Sequence, residues 1–175
     1  RRCGICLSDP TIYEAFTYYE REVLPHKNDD AINAKAMPGA HAALQAVQDA
    51  GLRCALFTNP SFPQGAIECR MGWGELTDAP FELVTHMGNA TRCKPDATYY
   101  LEQLQVMGLE PHEVLMVGND PKRDFPSPDC GIQTAYVGQG KPGRATWRGT
   151  MEDFARNFNA VVEAFYEHQV AEELS

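Results

Sequence analysis

No apolar run in this 175-residue chain approaches the length of about 18 residues that crosses a bilayer. The start, Arg1-Arg2-Cys3-Gly4, also lacks the long apolar segment of a secretory signal, so the expected location is the cytoplasm, away from the membrane. Basic clusters are equally scarce. With 24 acidic against 15 basic residues the formal charge is −9, which repels polyphosphate backbones, and nucleic acid is not an expected partner. The sequence has no second Cys-x-x-Cys and no His pair at ligand spacing. Cys3-Gly4-Ile5-Cys6 is therefore half of a zinc site or a redox pair at most, and the scattered six cysteines are expected to be reduced thiols. What remains is ordinary globular material, 43% hydrophobic and 22% charged, enough for one domain with a real core.

The chain alternates between two periods. Ser8-Asp9-Pro10 opens a helix with a capping side chain and a proline in its first turn, and Ile12, Phe16, Tyr19 and Val23 recur on one face up to Pro25. A polar stretch, 26–35, reads as a linker. Pro38-Gly39 opens a second helix with Ala40, Ala43, Leu44 and Val47 inward, stopped by Gly51. Then Leu52 to Phe57 is a short apolar run, expected as a strand buried on both faces and ending in the turn-forming Thr58-Asn59-Pro60. The alternation repeats with a helix at 63–71, a strand at 81–85, a helix at 96–107 capped by Gly108 and strands at 114–117 and 132–137. A glycine-rich loop and a helix from Thr150 onwards follow. This β/α rhythm predicts a parallel sheet with helices on both faces, which places ligands beyond the carboxyl ends of the strands.

Those ends carry polar groups. Val117-Gly118-Asn119-Asp120-Pro121-Lys122-Arg123-Asp124 follows an apolar strand and sets two carboxylates four residues apart, about one helical turn, where they can converge on a hard cation such as Mg²⁺. Thr58-Asn59 closes an earlier strand, and Cys93-Lys94-Pro95-Asp96 opens a helix between them. In this order and spacing the three segments resemble the haloacid dehalogenase (HAD) superfamily over about residues 38–154. The resemblance implies a Rossmannoid α/β core at 37–175 and, at 1–36, the remnant of a helical cap with its linker. It also implies a phosphatase-like hydrolase acting on a small phosphorylated metabolite with Mg²⁺. Thr58 and Asn59 would then bind the phosphoryl group, Lys94 would neutralise it and orient the nucleophile, and Asp120, Asp124 and the Asn119 side chain would hold the metal.

The match is incomplete. In the superfamily the nucleophile is the first Asp of an Asp-x-Asp on the first, central strand, forming an aspartyl-phosphate, and no Asp-x-Asp occurs here. The nearest imitation, Asp9 before Pro10 and Thr11, sits where a helix cap is expected. The resemblance therefore implies that the central strand, which lies between the strands ending at Thr58 and Val117, is missing, together with the first part of the cap. Phe125-Pro126-Ser127-Pro128 departs too, because its prolines should leave any helix after Asp124 short or broken. Taken at face value, the sequence also admits a HAD-like scaffold without catalysis, a metal-independent dehalogenase, or a thiol-redox protein using Cys3 and Cys6.

Overall fold

A computed structural model of the chain describes residues 9–140, 142 and 144–173. Cys3 and Cys6 lie outside the described residues. Helix α1 (Pro10–Tyr18) starts as expected, with Asp9 as its cap, the carboxylate accepting from the Thr11 amide at 2.9 Å. It continues through a π-type turn (Tyr19–Val23) and a 3₁₀ turn (Leu24–Lys27). No α1 residue is buried, and Phe16 and Tyr19 are exposed, so the apolar face on which they recur is largely uncovered.

After α2 (Ala40–Asp49) the chain alternates regularly: β1 (Cys54–Leu56), α3 (Gln64–Trp73), β2 (Phe81–Val84), α4 (Ala97–Met107), β3 (Leu115–Gly118) and β4 (Gln133–Val137). Two elements were not legible in the sequence. The glycine-rich loop ends in a short strand, β5 (Trp147–Gly149), and the last helix is two, α5 (Met151–Arg156) and α6 (Phe158–Glu173), interrupted at Asn157. Asn157 leaves the helical region at φ −104° and ψ 18°, and its side-chain amide donates to the Asp153 carbonyl at 2.8 Å, a local bond that competes with the helix ladder.

All paired strands are parallel, in two separate sheets: β1 with β2, and β3, β4 and β5 in that order. No described strand joins β1 to β3. β1 is consequently half-buried rather than buried on both faces, whereas every residue of β4, flanked on both sides, is buried. Side-chain alternation along β4 sends Ala135 and Val137 to one face, against Ala43 of α2, Phe154 of α5, and Phe158 and Val161 of α6. Across the sheet Ile132 joins Tyr99, Tyr100 and Leu104 of α4, with Phe57, Val114 and Met116 packed against them. Helices thus cover both faces of this sheet, and α4 packs against Met116 of β3 and against Phe57 just beyond β1. Among the described residues no helix is long and apolar enough to cross a membrane.

Candidate active site

The apolar residues of β3 end at Gly118, where the chain turns through Asn119, Asp120 and Pro121. The Asp124 and Arg123 amides then donate back to the Asp120 carbonyl at 2.7 and 3.0 Å. This single turn folds the Asp124 side chain under the strand end, where Oδ2 accepts from the Asn119 and Asp120 amides at 3.0 and 2.8 Å. Gly118 makes this possible, since a Cβ there would lie 2.4 Å from the Asp124 Cβ and 2.7 Å from Oδ2. After Asp124 the prolines leave no helix, as expected, and the Ser127 amide donates instead to the Pro95 carbonyl at 2.7 Å.

That bond brings in the second segment. Lys94, joined to Pro95 by a cis peptide, points Nζ at Asp124 Oδ1, 2.6 Å away, and the two side chains are only 10% and 11% exposed. Two charges so far from water are held at a desolvation cost that their attraction and the two backbone donors offset, and deleting either partner costs about 3–5 kcal/mol. Just beyond them Asp96 caps α4, and the Thr98 amide on its carboxylate at 2.9 Å holds its pKa below the usual range. Asp120 is different. Its carboxylate is 44% exposed, accepts from the Lys122 amide at 3.0 Å and lies 3.6 Å from Arg123 Nε; Asn119 is exposed beside it.

The third segment lies at the end of β1. Thr58 is half-buried and Asn59 exposed. The Thr58 hydroxyl donates to the Thr85 carbonyl at 2.6 Å, and its amide donates to Thr85 Oγ1 at 2.7 Å. Thr85, fully buried just after β2, lies 2.8 Å from the Tyr99 hydroxyl, which in turn donates to the Thr58 carbonyl at 2.6 Å. If Thr85 donates to Tyr99, every proton in this loop of bonds is used once. The adjacent Tyr100 turns the other way and donates to the Arg123 carbonyl at 2.9 Å. Burial pushes both phenols well above their usual pKa, and the negative charge of Asp124 adds to the effect.

Of the residues picked from sequence, Lys94 and Asp124 are therefore in direct contact. Asn119 and Asp120 reach Asp124 through their amides, and Thr58 is connected through α4. Tyr99 and Tyr100 are fully buried, and their hydroxyls tie down two site loops. A signal existed: a buried phenol needs a partner, so consecutive tyrosines on a packed helix announce two polar connections. A cavity of about 370 Å³ beside the site is lined by Pro95, Pro121, Lys122, Phe125 and Arg144.

The donors suit Mg²⁺. Three of the four or so acceptor directions of the Asp124 carboxylate are taken by Lys94 and the two amides, which leaves one, and Asp120 and Asn119 offer further hard oxygens at the rim. Among the described residues no three His, Cys, Asp or Glu side chains form a closed cage. Mg²⁺ does not require one, because it keeps waters and takes substrate oxygens beside one or two carboxylates.

Taken together these features define an α/β protein of Rossmann-like build whose polar groups gather beyond the carboxyl ends of parallel strands. Residues 11–127 match the family model described as haloacid dehalogenase-like hydrolase, and the chain belongs to that family. No curated protein matches the sequence significantly. Among solved structures, the HAD phosphatase from Thermococcus onnurineus superposes with a TM-score of 0.59 at 19% identity, over 71% of this chain and 57% of its own. A beta-phosphoglucomutase from Clostridium difficile gives 0.62 at 16%, over 77% and 58%. A HAD family hydrolase from Deinococcus radiodurans, with bound phosphate and sodium, gives 0.56 at 21%, over 72% and 58%. At such identities the likeness is one of fold, and the chain spans under three fifths of the length of these three structures.

Proposed function

We propose that this hydrolase is a cytoplasmic, Mg²⁺-dependent phosphoric monoester hydrolase of a small phosphorylated metabolite, working through an aspartyl-phosphate. The observation that carries the reading is the buried Lys94 and Asp124 pair at the carboxyl end of β3, beside the break between β1 and β3. We read the break as the place of one further parallel strand, and assign to that strand an Asp-x-Asp whose first carboxylate reaches the mouth of the site. Asp9 is left as a helix cap by its bond to Thr11. Residues 10–27 are read as part of a lid. The free thiols of Cys54, Cys69, Cys93 and Cys130 support a reducing compartment, and the phosphate bound in the Deinococcus hydrolase supports a phosphorylated substrate.

In this scheme one carboxylate oxygen attacks phosphorus, the bond to the ester oxygen breaks, and the departing alcohol takes its proton from the second Asp of the motif. Water then gives a proton to that second Asp as it attacks the phosphorus of the acyl phosphate, which releases inorganic phosphate and restores both carboxyl groups to their starting states. Lys94 has three donors and spends one on Asp124, so two remain for the nucleophile and a phosphoryl oxygen. The Thr58 hydroxyl reaches the phosphoryl by rotating off the Thr85 carbonyl, with the Asn59 amide group beside it. Asp120, Asp124 and Asn119 would hold Mg²⁺, which when bound would supply charge neutralisation on the phosphoryl oxygens. The test is hydrolysis of an aryl phosphate by the full-length protein. Turnover should need Mg²⁺ and be lost in excess chelator and in Asp124→Asn, and undiminished turnover in both would reject the metal role. Halide release from a haloacid without added cation would favour a dehalogenase instead.

A further inference from the structure

We propose that Tyr99 and Tyr100 are positioning residues that set the distance between the two halves of the active site, a role that rests on the catalytic reading above. A strand filling the break between β1 and β3 would register those two strands through its ladder, but Thr58 and Asp124 lie beyond the ends of β1 (Cys54–Leu56) and β3 (Leu115–Gly118), on loops outside the described strand pairing. Helix α4 ties those two loops together. Successive helical residues are rotated by about 100°, so neighbouring side chains diverge, and these two phenols diverge onto the two loops that matter: Tyr99 onto the Thr58 carbonyl and Tyr100 onto the Arg123 carbonyl.

The hydroxyls are not explained by packing. Both rings are fully buried, in edge contact with each other at 5.1 Å, and Phe57 adds contacts at 5.9 and 6.3 Å. Phenylalanine would fill the same space without two polar groups to desolvate. Each hydroxyl is instead bonded to a main-chain carbonyl in the loop that presents a site residue. Arg123 immediately precedes Asp124, and Thr58 is itself the residue whose hydroxyl is assigned to the phosphoryl group. Because Lys94 precedes the same helix and is tied by its neighbour Pro95 to Ser127, α4 and its leading loop hold all three segments.

The test compares Tyr99→Phe and Tyr100→Phe in the full-length protein by amide hydrogen exchange and by kinetics. Tyr99→Phe should speed exchange at the Thr58 amide by about tenfold and leave the Asn119 and Asp120 amides within about twofold, and Tyr100→Phe should do the reverse. Each should lower kcat on an aryl phosphate by about tenfold or more with KM within about threefold, the mark of lost alignment rather than lost binding. Equal acceleration at all three amides, no acceleration, or an unchanged kcat in both variants would overturn the proposal. If the wild-type protein hydrolyses no phosphate ester, the catalytic reading fails on that result alone, and the exchange pattern still decides whether the tyrosines set the two loops.

Discussion

Replacing Gly118 with alanine adds one methyl group and no polarity, yet it should disable the site. Gly118 lies outside the left-handed region, so alanine fits its backbone and only contact matters. The new Cβ would stand 2.4 Å from the Asp124 Cβ, whereas carbon atoms rest at about 3.5–4.0 Å, so the Asp124 side chain must retreat by more than about 1 Å. A shift of that size is enough to take the 2.6 Å contact with Lys94 and the bonds from the Asn119 and Asp120 amides beyond good hydrogen-bond range. Overpacking of this kind costs about 1–3 kcal/mol, partly offset by about 0.4–1 kcal/mol from a stiffer unfolded chain. The catalytic loss should be larger than the loss of stability suggests, because a misplacement of about 1 Å can cost on the order of a hundredfold in rate, about 2.7 kcal/mol of barrier. Thermal melts and aryl phosphate kinetics on Gly118→Ala check both numbers. A variant with wild-type kcat and an unchanged melting temperature would refute the placement of Asp124 under the strand end.

Lys94→Met should destabilise the protein by about 3–5 kcal/mol in urea unfolding, because it strands a carboxylate that is 11% exposed, and adding Asp124→Leu should recover part of that loss. If the double variant is as unstable as the single one, the ion pair is not the source of the cost. Alkaline pH should weaken the fold through Tyr99 and Tyr100. Their folded pKa values are raised, so their contribution is fully present below the unfolded tyrosine value of about 10 and is lost as pH rises above it toward the folded values. The urea midpoint should therefore fall progressively as pH rises beyond about 10, and a fall equally steep in the Tyr99→Phe and Tyr100→Phe double variant would contradict this assignment.

The elements that could be read from sequence are those whose signals are local. Asp9 and Thr150 cap their helices because a short polar side chain bonds an amide two or three residues on, and Gly108 ends α4 in the left-handed conformation that only glycine adopts cheaply. Lys94, Asp120 and Asp124 could be picked out because motif order along the chain carries them. What escaped depends on distant partners. Trp147–Gly149 becomes a strand only because β4 lies alongside it, and Gly118 matters only because Asp124 turns back under it. The bonds from Tyr99 to Thr58 and from Tyr100 to Arg123 span 41 and 23 residues, and no periodicity encodes the ends of such contacts.

Whether a carboxylate nucleophile stands beside Lys94 and Asp124 can be read from the covalent state of the protein in the presence of substrate. Full-length protein mixed with Mg²⁺ and a phosphate monoester labelled on phosphorus, then quenched in acid, should retain label on the protein, and neutral hydroxylamine should release it, as it does an acyl phosphate. Turnover with no protein-bound label, or with label that survives hydroxylamine, would contradict a reaction passing through an aspartyl-phosphate at this site.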